Sequence, residues 1–144
     1  MTRSPRPRGL ALALALLLLA AGCTYYPTVR EVGGVRLKPE KGRIVRSSTA
    51  NEAVLYFQVE SSGKYGDVLK GAHAPFARQA ALVGPGGSPV GGVEIPGATV
   101  VTFDEKGSRV VFSDLTRTLA PGEVIVVTLA FEKSGLMGVI SVVE

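Results

Sequence analysis

The sequence predicts an all-β domain, a β-sandwich of about eight or nine short strands, behind a cleaved signal peptide and a short tether. Three observations carry that prediction. Apolar residues recur in short runs, several of them alternating with polar ones, the period of a half-buried strand. The 144 residues include 18 Gly and 9 Pro, and clusters of them separate the runs as turns. Beyond residue 22 nothing calls for a long helix, so the layers must be sheets.

The leader is read first, because it is not part of the fold. Arg3, Arg6 and Arg8 form a basic start, and Leu10 to Ala21 is an unbroken run of Leu and Ala. That run is too short for a bilayer core, which takes about 20 helical residues, and has the length and flanks of a secretory segment. It ends in Leu19-Ala20-Ala21-Gly22-Cys23, which resembles the bacterial lipobox. The resemblance implies a diacylglyceryl group on the sulfur of Cys23. The alternative is an ordinary signal peptide followed by a free cysteine. Cys23 is the chain's one cysteine, so no internal disulfide forms. The expected location is the outer face of the cytoplasmic membrane or the cell envelope.

Removing residues 1–22 changes the charge. The chain has 16 Lys+Arg and 12 Asp+Glu, and three arginines leave with the leader, so 13 face 12 in the remaining 122 residues. Near neutrality, the mature chain gives no support to nucleic-acid binding. Its length suits one domain, residues 35–144, with a core of its own.

Residues 23–34 read as the lipidated end and tether, which includes Tyr25, Tyr26, Pro27 and the Gly33-Gly34 pair. The eleven residues from Thr24 reach roughly 36 Å when extended, at about 3.3 Å each. From Arg30 to Arg46 six basic residues face Glu31 and Glu40. Two readings stand: attraction to anionic headgroups, or a solvated strand edge.

Strands are then expected at Val35–Lys38, Arg43–Arg46, Glu52–Glu60, Asp67–Ala72, Phe76–Val83, Thr99–Asp104, Arg109–Ser113, Glu123–Phe131 and Met137–Val143. In the third, Ala53, Leu55, Phe57 and Val59 share one face. Gly84-Pro85-Gly86-Gly87, Gly91-Gly92 and Ser134-Gly135 mark turns, and Pro121-Gly122 has the order of a type II turn. Glu123–Phe131 is nearly all apolar or β-branched, which predicts a strand covered on both faces.

Val93-Glu94-Ile95-Pro96, Asp114-Leu115, Leu119-Ala120-Pro121-Gly122-Glu123 and Leu129-Ala130-Phe131-Glu132-Lys133-Ser134-Gly135 resemble, in order and spacing, the extracytoplasmic copper chaperones of the PCuAC family. The likeness extends over roughly residues 43–143. It implies a cupredoxin-like, immunoglobulin-like sandwich. It also implies Cu(I) binding by two His and two or more Met, the soft donors that this ion selects. The ligands themselves are missing. The first histidine position falls at Leu82 or Val83, one methionine position near Gly87 or Ser88, the second histidine at Arg109 and its methionine at Val111. Positions 109 and 111 share a strand face, so the clip survives without its donors. The mature chain holds one histidine, His73, and one methionine, Met137. No metal site and no cofactor are therefore expected within one copy.

Catalysis is not expected. His73 with Ser47, Ser48 or Ser113 is no triad without geometry. Asp104 and Glu105 read as solvated turn neighbours, and the Gly84–Gly87 turn lacks the lysine and helix of a phosphate loop. The expected function is that of a lipid-anchored accessory or protein-interaction module. The rim at Arg109 and Val111 is the candidate contact for a membrane-protein partner. The resemblance points to respiratory-oxidase assembly, or the oxidase complex, as its setting. Two alternatives stay open: a copper chaperone whose ligands are shared across a dimer or with a partner, and a structural envelope lipoprotein.

Overall fold

The longer strands form mostly where apolar and polar residues alternate, as in Glu52–Ser61 and Val124–Phe131, and Gly or Pro clusters mark many of the turns between them. A computed structural model describes residues 27–48 and 50–144; the signal segment, Cys23, Tyr25 and Tyr26 lie outside them. The elements are β1 Arg30–Val32, β2 Val35–Arg46, β3 Glu52–Ser61, β4 Asp67–His73, β5 Ala77–Val83, β6 Val93–Ile95, β7 Thr99–Phe103, β8 Arg109–Leu115, β9 Val124–Phe131 and β10 Gly135–Val143.

The strands follow the order β5-β8-β3-β2-β10-β9-β4-β6, with β1 on β2 and β7 on β3. All pairings are antiparallel except β2 with β10. The sheet coils until β4 meets β5, an all-β sandwich approaching a closed barrel. Ala53, Leu55, Phe57 and Val59 point inward together, as the alternation requires. Phe57 stacks on Phe103 with centroids 4.2 Å apart, and Phe76 meets Phe112 edge-on at 5.1 Å. Such pairs add ~0.5–1.5 kcal/mol beyond the area they bury.

Three expectations change. The brief strands at Val35–Lys38 and Arg43–Arg46 are one strand, β2, continuous through a bulge between Glu40 and Arg43. Lys41 there has φ 56, and Gly42 lets β10 approach: a Cβ on it would sit 2.6 Å from the Ile140 carbonyl oxygen. Residues 30–32, read as tether, form β1, and the Gly138 N–H donates to the Pro27 carbonyl at 3.2 Å. β9 is covered on one face only: Ile125, Val127, Leu129 and Phe131 are buried, whereas Val124 and Val126 face solvent. The Pro121-Gly122 turn forms as expected, with Gly122 at φ 83 and the Glu123 N–H bonded to the Ala120 carbonyl.

One buried charge fastens the sheet. Asp67, at the start of β4, accepts the N–H groups of Val68 (2.7 Å), Lys133 (2.9 Å) and Ser134 (2.8 Å). Burial alone pushes its pKa up, but the Lys133, Val68 and Ser134 N–H groups outweigh that and hold it below the ordinary carboxylate value.

Candidate functional site

The rim read from the sequence lies on the β5–β8 pair. Val110 and Phe112 are fully buried, which turns Arg109 and Val111 to the outer face. The register sets Val83 opposite Arg109 and Ala81 opposite Val111, whereas Leu82 faces Val110 in the core. Of the two candidates for the first ligand position, Val83 therefore shares the face of Arg109. The turn after β5 folds back over this end. Gly84 N–H bonds to Ser88 O at 2.9 Å, Val90 N–H to Leu82 O at 2.9 Å, and Val83 bridges to Pro89. A Cβ on Gly87 would lie 3.9 Å from Nη2 of Arg109.

Residues far apart in sequence, Val83, Gly87, Arg109 and Val111, thus converge on one patch. Arg109 Nη1–H donates to the Gly107 carbonyl over a long 3.5 Å, and among the described residues no carboxylate pairs with it. Val111 is half-buried, with Val54 of β3 on its other flank. The patch does not fit Cu(I). Val83, Ala81 and Val111 offer no donor atom, and the guanidinium is a permanent cation without a lone pair to give. Elsewhere, His73 is exposed at the end of β4 opposite Thr128, and Met137 is fully buried in the core. Among the described residues no group of three or more His, Cys, Asp or Glu is arranged to hold a metal ion.

Two features escaped the sequence. Asp104 and Glu105 are not simply solvated: Asp104 Oδ1 accepts the Lys106 and Gly107 N–H groups, at 3.1 and 2.7 Å. Glu105 pairs with Arg43 at 3.2 Å, and the same Arg43 reaches Glu144 and lies over the Tyr56 ring. The second is an open cleft of about 570 Å³ whose lining includes Arg46, Asn51, Thr116, Arg117 and Glu144. Both its guanidinium groups are engaged. Arg46 donates to the Leu119 carbonyl at 2.8 Å, and Arg117 grips Glu123, whose pKa it lowers with help from the Ala120 N–H. No sequence signal marks this cleft, because its walls come from three separate segments.

The fold matches solved PCuAC structures. The copper-bound PCuAC domain from PmoF2 aligns with TM-score 0.68 and 24% identity, covering 81% of this chain and 97% of that one. The apo PCuAC domain from PmoF1 gives 0.67 and 21%, over 81% and 98%. The Cu(I) form of DR1885 from Deinococcus radiodurans, a solution structure, gives 0.65 and 18%, over 90% and 85%. At these identities the likeness is one of fold. No curated protein sequence matches the chain. The family described as "Putative lipoprotein LpqE-like" matches residues 29–143. With nearly all of the sandwich inside that match, the chain belongs to the LpqE-like family.

Proposed function

We propose that this protein is a lipid-anchored accessory module: a PCuAC-type sandwich that no longer carries copper and docks on a membrane-protein partner of the cell envelope. The finer setting, respiratory-oxidase assembly or the oxidase complex, follows from the family resemblance. One observation carries the reading. Where the resemblance places soft ligands, the β5–β8 pair sets a buried Val83 beside half-exposed Arg109 and Val111. An outward, unpaired arginine beside apolar side chains suits a protein contact, because Arg anchors are enriched among interface hot spots.

Titration of the protein with Cu(I) against a competing chromophore tests the loss of copper. No transfer to the protein is expected, and stoichiometric capture by the monomer would overturn the reading. Copper-dependent dimerisation would establish the shared-ligand alternative instead, for which His73 is exposed and therefore available.

Co-purification from detergent-solubilised membranes should then identify the partner. Arg109→Glu is expected to weaken that association at least tenfold, with thermal stability changed by no more than about 0.5 kcal/mol, as for a surface substitution. Lys70→Glu, at an exposed position of β4, should leave association intact. Val111→Asp is the poorer probe, since Val111 is half-buried against Val54 and a charge there also disturbs packing. Normal association of Arg109→Glu would place the docking surface elsewhere.

A further inference from the structure

The outer face of β9 and β10 carries an apolar stripe that the interior does not use. Val124 is 63% exposed, Val126 53%, Ile140 57% and Val142 43%. The register pairs Val126 with Ile140 and Val124 with Val142. On one side of an antiparallel pair such partners touch, so four scattered sequence positions make a single patch.

The tether joins the fold beside this patch. The Pro27 carbonyl accepts the Gly138 N–H, and Ile140 is two residues further along β10, about 7 Å. Cys23 precedes Pro27 by four residues, a reach of at most about 14 Å. Exposed cations lie toward the tether end of β10, where Arg30 Nη1 would be 3.5 Å from a Cβ on Gly135. Arg30 on β1 and Arg36 on β2 are exposed and have no carboxylate partner among the described residues. Lys38 is paired with Glu40, and Arg43, in register with Val142, is taken up by Glu105 and Glu144, which leaves Arg30 and Arg36 as the cations available to lipid.

We propose that the β9–β10 face is the protein's seat on the bilayer, with Val124, Val126, Ile140 and Val142 entering the headgroup region and Arg30 and Arg36 meeting anionic lipid. The proposal rests on Cys23 as the acylated residue. Acylation fixes the distance of β10 from the membrane, and the apolar stripe fixes the orientation: its four side chains form a continuous exposed apolar surface within reach whose burial is favourable. β8 has β3 and β2 between it and β10 in the sheet. The Arg109 rim therefore turns away from the lipid and stays open to a partner.

The full acylated chain, with Ile140→Cys or Ser113→Cys carrying a polarity-sensitive fluorophore, is placed on vesicles of equal parts phosphatidylcholine and phosphatidylglycerol. Mass spectrometry first reads the acyl group on Cys23, and co-sedimentation reads anchoring. The expected result is a blue-shifted Ile140 label, quenched at least threefold more by a lipid-borne quencher than the Ser113 label on β8. An Ile140 label that stays in water on an anchored protein overturns the seat and leaves the anchor standing. A chain without acyl on Cys23 overturns both. A label shielded in detergent solution as well, with cross-linking that grows with protein concentration, assigns the face to a second copy and overturns the lipid seat.

Discussion

Asp67→Ala is expected to cost the domain about 3 kcal/mol, lowering Tm by ~10–20 °C for a domain of this size. Asp67 is 2% exposed, and its carboxylate accepts three backbone N–H groups, two of them from the β9–β10 turn. Alanine leaves the Lys133 and Ser134 donors without an acceptor in the interior, at ~1–3 kcal/mol each. It also unfastens β4 from the turn that sets the β10 register. Asp67→Asn keeps the shape and one acceptor oxygen, so its loss should be smaller.

The same carboxylate makes stability depend on acid. Its folded pKa lies below the ordinary value, so in the window between them the unfolded chain binds the proton and the folded one does not. Stability therefore rises with pH across that window. The contribution is complete above the unfolded value, about 3.9, and is lost as pH falls through the folded one. Melts recorded from neutral pH into acid should show the wild type losing stability more steeply than Asp67→Asn below about pH 4. Equal slopes in the two proteins would mean that Asp67 is not the group being titrated.

Cys23→Ala is expected to move the protein almost completely from the membrane fraction to the soluble extracytoplasmic fraction. Each buried acyl CH₂ contributes ~0.8 kcal/mol, and two or more chains hold a protein without further help. Neutralising Arg30 and Arg36 should therefore leave the acylated protein in the membrane fraction, even though it removes cations from the proposed seat. Continued membrane association of Cys23→Ala, with a mature N-terminus other than residue 23, would remove the anchor.

The strand elements were legible in the sequence because their physics is local. Alternation in Glu52–Ser61 declares a buried face, and Gly84–Gly87 or Pro121-Gly122 declares a turn, whatever else the chain does. The scarcity of soft donors was equally legible: beyond the leader the chain has one histidine and one methionine, too few for a Cu(I) site within a single copy. β1 and β6, three residues each, are too short to show a period. β2 looked broken because Pro39 and Lys41-Gly42 resemble a turn. Its continuity depends on β10, more than 95 residues later, lying against Gly42. The apolar run in β9 showed that a strand forms, but not that one of its faces stays bare, which depends on whether another layer covers it. Only the tertiary structure set Val83 beside Arg109, gave Asp67 its donors from the β9–β10 turn, and aligned four exposed apolar side chains next to the tether. In each case the partners are distant in sequence, and pairing between distant segments is fixed by sheet register rather than by any residue's own preference.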